Sequence, residues 1–396
     1  MLESYPLITT IVASVVLAFL LGLLANYLRL PTILGYLLSG MMLGPNTPGF
    51  VADIGLAEQL AEIGVILLMF GVGLHFSIKD LRRVHSIALP GAIIQMTVTA
   101  LLCLLVITSL NYKFGEGLVF GITLSVASTV VLLRTLEQYG IIDNHIGKIA
   151  IGWLIVEDIA VVIILILLPV TSEMFLNGKE LNLYKILGMV FLAMIKMAAF
   201  VTVMIIFGKK LLPKLLTTIA KTKSQELIVL GTIAISSGFA FIAYTVFGTS
   251  FALGAFMAGF VLNESEIGRK YAEKSIPLRD IFAVLFFVST GMLFNPMILI
   301  KEPVLILITC SLVILGKAII AYFTMRIFHQ KLRESLILAV SLAQIGEFSF
   351  ILAALALKLG VFSHIIYDMV IASAIISIAI NPFLFKLAKC NTYRSL

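Results

Sequence analysis

Apolar runs recur along the whole chain, separated by short polar connections, and they leave few folds open. Roughly 20 apolar residues suffice to cross a bilayer as a helix, and in hydrocarbon a helix satisfies its own backbone polar groups. Thirteen such segments lie near residues 7–28, 31–44, 59–76, 87–110, 116–135, 148–171, 185–208, 225–247, 250–263, 277–294, 303–327, 334–359 and 365–388. No connection between them is long enough to fold as a soluble domain. The expectation is an all-α polytopic membrane protein with 13 transmembrane helices, a single unit over residues 1–396. Only 12% of the residues are charged, against about a quarter in soluble domains. The opening MLESYP has no basic stretch, so the first run reads as a retained helix rather than a cleaved signal peptide.

The net charge of +7 could suggest a nucleic-acid partner, but its distribution points elsewhere. Connections after odd-numbered segments hold Arg29; Lys79, Arg82 and Arg83; Arg134 and Lys148; and Lys209, Lys210, Lys214, Lys221 and Lys223. They continue with Arg269, Lys270, Lys274 and Arg279; Arg326, Lys331 and Arg333; and Lys386, Lys389 and Arg394. These are 21 of the 28 Lys and Arg; connections after even-numbered segments hold only Lys113, Lys179, Lys185, Lys301 and Lys358. Lys and Arg concentrate in cytoplasmic connections, so the N-terminus is expected outside and the C-terminus in the cytoplasm. The charge is accounted for as topology, with no nucleic acid implied.

A repeat lies beneath this topology. TILGYLLSGMMLG (32–44) matches FALGAFMAGFVLN (251–263), with Gly35 and Gly40 answering Gly254 and Gly259. In the next segment Glu62 and Gly73 answer Asp280 and Gly291, and further on Ser125 and Ala127 answer Ser341 and Ala343. The common offset of 216 to 219 residues spans seven segments. That number is odd, so repeats at about 31–171 and 250–388 would have opposite topology, with 7–28 and 185–247 outside them. Inverted repeats enclosing a midplane site are typical of secondary transporters.

Ionisable residues inside such segments are expensive to bury and are functional candidates by default. Glu157 and Asp158 stand together in GWLIVEDIAVVIILILLPV, and Lys317 lies in ILGKAII. At a rise of about 1.5 Å per residue both features lie roughly 15 Å from the cytoplasmic ends of their helices. An acid pair and a lysine at one depth are natural partners. Neighbours on a helix point about 100° apart, so one acid can hold Lys317 while the other faces a water-filled cavity. Asp158 reads as a carboxylate that takes a proton or a monovalent cation in competition, which is the physical basis of exchange. Glu157 reads as a second titrating group or as the counter-charge of Lys317, and Lys317 as a structural partner or a proton carrier. Ser125, Ser128 and Thr129 in one matched segment, and Gln344 and Glu347 in the other, supply hard oxygen donors; for the hydroxyls, interhelical hydrogen bonding reads equally well.

Other features are plain. Lys196 has no acidic partner legible in the sequence, and His145 reads as a loop histidine. Cys103, Cys310 and Cys390 are far apart and read as small apolar filler. No phosphate-binding loop, metal cluster or nucleophile constellation is legible, so neither an enzyme nor a cofactor is expected.

VEDIA, SLAQIGEFSF and ILGKAII, together with the glycine-rich LGYLLSG and LGAFMAG, resemble the monovalent cation:proton antiporter-2 family, and within it the Kef-type potassium/proton antiporters. The resemblance covers essentially the whole chain. It implies an inverted-repeat fold with crossed, discontinuous fifth and twelfth helices, a dimerisation domain beside a mobile core, and a homodimer in the lipid bilayer. It implies Asp158 as the ion-binding aspartate and Lys317 as the lysine of electrogenic members. Glu157 departs from the aspartate or glutamine usual at its position, which leaves stoichiometry open. Many Kef-type proteins continue into a cytosolic nucleotide-binding domain; these residues stop at KLAKCNTYRSL, which leaves open a naturally short member or a truncated one, with a cytosolic regulatory domain or subunit as a further partner not present here. The resulting expectation is a bacterial inner-membrane antiporter exchanging potassium, or sodium, for protons. A channel-like cation pathway without obligatory proton coupling is the alternative. An organic-anion symporter is a third reading, disfavoured because the crossover segments carry Glu347 and no basic residue near their middles.

Overall fold

A computed structural model describes residues 6–28, 30–48, 51–75, 78–141, 144–177, 183–247 and 251–393. Arg29, Lys179 and Arg394, counted above toward topology, lie outside the described residues. The described secondary structure is entirely helical, with no strand. In chain order the first helices are α1 (Pro6–Tyr27), α2 (Thr32–Leu43), α3 (Ile54–His75), α4 (Ile78–Ser109), α5 (Phe114–Ser125), α6 (Thr129–Gln138) and α7 (His145–Asn177). Then come α8 (Leu183–Val203), α9 (Lys209–Ala220), α10 (Gln225–Thr245), α11 (Phe251–Asn263), α12 (Glu266–Ala272) and α13 (Ile276–Leu293). The last are α14 (Ile298–Lys301), α15 (Pro303–Ser311), α16 (Lys317–Ile327), α17 (Leu332–Ser341), α18 (Glu347–Lys358) and α19 (His364–Tyr393).

Each of the thirteen apolar segments falls on one helix or on a composite of two. Among the described residues, eight helical spans have the length and composition of a membrane crossing; α2, α5 and α11 are apolar but shorter. Two composites carry a π-helical turn, Met204–Gly208 between α8 and α9 and Leu312–Gly316 between α15 and α16. Such turns insert one extra residue and often occur at functional sites. The second of them ends immediately before Lys317. Large apolar side chains on α1, such as Phe19 and Leu23, are more than half exposed, as expected of a surface that meets lipid.

The helices sort into two packed groups. One contains α1, α2, α3, α10, α11 and α13; the other is built around α4, α5, α7 and α16–α19. Glycines govern the closest crossings of the first group. A Cβ added to Gly40 would stand 1.9 Å from the Val288 carbonyl oxygen on α13, and one on Gly291 would stand 2.1 Å from the Leu37 oxygen on α2. Likewise Gly259 on α11 would meet the Phe70 oxygen of α3 at 2.0 Å, and Gly73 would meet the Phe256 oxygen of α11 at 2.0 Å. Gly35 and Gly254 hold α2 against α1 and α11 against α10 in the same way. Glycines that answer each other in the sequence therefore make the same contact twice, with partners exchanged between the halves. The second group has its own tight crossing, where Gly121 of α5 lies against Ala100 of α4.

Candidate functional site

Two composite helices are interrupted near their middles. Helix α5 ends at Ser125, Val126 turns to extended backbone (φ −89°, ψ 134°), and α6 starts at Thr129. Helix α17 ends at Ser341, and the extended Gly346 (φ −97°, ψ 170°) leads into α18 at Glu347. The interruptions cross at contact distance. A Cβ on Gly346 would lie 2.3 Å from the Ala127 carbonyl oxygen. Gln344 Nε2 donates to the Ser128 carbonyl at 3.2 Å, and Ser349 Oγ donates to the Thr123 carbonyl at 2.6 Å.

Breaking a helix in an apolar surrounding frees backbone groups that need partners. At the first break, Glu157 Oε2 on α7 accepts the Ala127 N–H at 2.8 Å. Gln95 Nε2 on α4 donates to the Ser125 carbonyl at 3.2 Å. At the second, Lys317 Nζ on α16 donates to the Gln344 carbonyl at 3.1 Å. Ser377 Oγ on α19 accepts the Ile345 N–H at 3.3 Å, and Asn381 Nδ2 donates to the Val340 carbonyl at 2.8 Å. Ser128 Oγ accepts the Val131 N–H at 3.2 Å, capping α6, and donates to Glu347 Oε2 at 3.0 Å.

The candidate residues then separate by access. Glu157, Lys317 and Gln344 are 0% exposed, whereas Asp158, Thr129 and Glu347 are only partly buried. Thr129 Oγ1 stands 3.3 and 3.4 Å from the Asp158 carboxylate oxygens. The charges of Glu347 and Glu157 both act on Asp158, and the first turns of α6 and α18 turn the positive ends of their dipoles toward these carboxylates. This partly open face gathers carboxylate and hydroxyl oxygens, the hard donors that suit an alkali cation. The sealed face holds Glu157, Lys317 and the Gln344 amide.

Several expected residues sit differently from their reading in the sequence. Lys317 and Glu157 interact through their charges, but among the described residues Lys317 is within 4.0 Å of no carboxylate oxygen. Its ammonium is spent on a backbone carbonyl instead. Ser125 turns its hydroxyl back to the Ile122 carbonyl at 2.7 Å and contributes only its own carbonyl to the site. Lys196 is exposed on α8, where a long side chain can reach toward the interface. His145 is exposed and pairs with Gln330 at 3.3 Å. Gln95, Ser377 and Asn381 were not legible as site residues, although uncharged amides inside apolar runs are the signal that would have found Gln95 and Asn381. No group of three metal-ligating His, Cys, Asp or Glu occurs among the described residues.

Residues 15–387 match the family described as sodium/hydrogen exchanger, transmembrane. The chain belongs to the sodium/hydrogen exchanger family. It is 50% identical over 385 residues to YbaL of Escherichia coli (strain K12), provisionally named a cation/proton antiporter; the match covers 97% of this chain and 69% of that protein. It is 32% identical over 383 residues to K(+) efflux antiporter 5 of Arabidopsis thaliana, covering 96% of this chain and 66% of that one. The fold is similar to that of the sodium proton antiporter MjNhaP1 from Methanocaldococcus jannaschii, with a TM-score of 0.66 at 16% identity over 96% of this chain and 97% of that one. The family match over residues 15–387 spans both helix breaks.

Proposed function

We propose that this exchanger moves a monovalent cation, potassium or sodium, against protons by alternating access, with Asp158 as the group the two ions compete for. The observation that carries the reading is the partly open cluster of Asp158, Thr129 and Glu347 at the crossing of two broken helices. A carboxylate there binds a cation only when deprotonated, so each ion expels the other. Potassium is favoured by the names of the plant relatives, K(+) efflux antiporters. Glu157 and Lys317 form the buried charge partnership behind Asp158, and Ser128, Gln344 and the Ser125 carbonyl hold the breaks in register.

The exchanged glycine contacts support reading the chain as two inverted repeats. The paired contacts of Gly35 with α1 and Gly254 with α10 extend that reading to those two helices, beyond the boundaries expected from the sequence. The protein is multi-pass. We place it in the bacterial inner membrane as a homodimer, with the N-terminus outside and the C-terminus in the cytoplasm, in keeping with the basic connections. A cytosolic regulatory domain or subunit is a further partner of this reading.

The test is cation-driven proton movement in proteoliposomes. Asp158→Asn keeps the shape of the side chain and removes its charge, and exchange is expected to fall to background. Undiminished exchange in that variant would overturn the proposed role. Cation flux that ignores an imposed pH gradient would replace the antiporter by a channel.

A further inference from the structure

Trp153 is the only tryptophan of the chain, and it lies one helical turn before Glu157 on α7. It is 0% exposed, although a residue of this size is rarely sealed completely. Its ring rests directly on Gly91 of α4, where an added Cβ would stand 2.3 Å from the indole. The indole N–H donates to Gln95 Oε1 at 3.3 Å. Gln95 is itself 0% exposed and uses its amide nitrogen twice, toward Thr99 Oγ1 and toward the Ser125 carbonyl, each at 3.2 Å. Every polar atom of the Gln95 side chain is therefore committed. Its two ends join the last carbonyl of α5 to the indole beside the buried acid.

We infer that Gln95 and Trp153 are positioning residues that act as one clamp, fixing the broken end of α5 and the Glu157 carboxyl relative to each other. The inference rests on the antiporter reading for its effect on transport, and on geometry alone for the clamp itself. Neither residue touches the ion. Gln95 anchors the break from α4, and the wedge over Gly91 keeps the indole from rotating away. Because Glu157 Oε2 takes the Ala127 N–H at 2.8 Å, the clamp bounds the first break on both sides, at Ser125 and at Ala127. Its loss lets the α5–α6 segment, and Thr129 with it, drift from Asp158.

Two measurements test it. In purified protein the emission of the sole tryptophan reads the clamp without any transport. Gln95→Met keeps the side-chain volume and removes the amide, so the Trp153 emission maximum is expected to shift, and Glu157→Gln is expected to shift it as well. An emission maximum unmoved by both substitutions would refute the clamp. In liposomes, Trp153→Phe and Gln95→Met are each expected to raise the apparent KM for the cation about five-fold, the scale of one lost hydrogen bond. The maximal rate and the elution profile in detergent are expected to stay near those of the unmodified protein. The double variant should be no worse than either single one, since both remove the same unit. Unchanged KM values, single effects that multiply, or a loss confined to protein yield would each overturn the proposal. Should the unmodified protein exchange no ions, the antiporter reading falls, and the fluorescence arm alone decides the clamp.

Discussion

The two helix breaks solve one problem with opposite charge. Each needs a donor for a stranded carbonyl, supplied by the long helix on one side, and an acceptor for a stranded N–H, supplied by the long helix on the other. At the first break the donor is the neutral Gln95 and the acceptor is the carboxylate of Glu157. At the second the donor is the cationic Lys317 and the acceptor is the hydroxyl of Ser377. One buried anion and one buried cation result, each engaged with backbone across the crossing rather than joined in a direct ion pair. The comparison shows two similar breaks braced by different chemistry: acids gather where the first break meets α7, while the second is braced by one lysine, one hydroxyl and one amide.

That contrast can be broken from either side. Lys317→Met is expected to have the largest effect on stability. It strands the Gln344 carbonyl and leaves Glu157 buried without its counter-charge, a loss of about 3 kcal/mol, visible as a lowered thermal midpoint in detergent. Combining it with Glu157→Gln should recover part of the loss, because the uncompensated anion is then gone; no recovery would mean that the two charges do not support each other. Next comes the crossing itself. Gly346→Ala drives a methyl group into the Ala127 carbonyl and is expected to cost about 1–3 kcal/mol and to impair exchange. Gly238→Ala is the matched control, since an added Cβ there meets nothing within 4 Å; in mid-helix it should be neutral or stabilise by up to about 1 kcal/mol. The smallest effect belongs to the neutral brace. Ser377→Ala removes one acceptor and should cost about 1 kcal/mol. An effect equal to that of Lys317→Met would erase the distinction between the charged and the neutral brace.

Much of this arrangement was legible in the sequence. Glu157, Asp158 and Lys317 stood out because an ionisable group in an apolar helix is too costly to be incidental. The matched glycines stood out because they recur at a nearly constant offset, 218 or 219 residues. Their pairing did not: that Gly40 meets Gly291, rather than its own counterpart Gly259, follows from how two helices cross and from no feature of either segment. Gln95, Trp153, Ser377 and Asn381 stayed hidden for a different reason. An uncharged polar side chain in a membrane helix is compatible with many hydrogen bonds, and which backbone group lies within 3 Å is known only once the helices are packed. The partner of Lys317 was read as an acid from shared depth alone, yet depth constrains one coordinate of three, and the nearest acceptor is the Gln344 carbonyl.

The sequence by itself determined that the chain carries many apolar segments fit to cross a membrane, and it marked a few ionisable groups inside them as candidates. These follow from transfer energies, which depend on residue type and run length. The tertiary structure alone decided which acid is open and which is sealed. Asp158 and Glu157 are chemically near-equal neighbours on one helix. A rotation of about 100° between them, together with the position of the first break, aims one at Thr129 and Glu347 and shuts the other in with Lys317, Trp153 and the Ala127 amide.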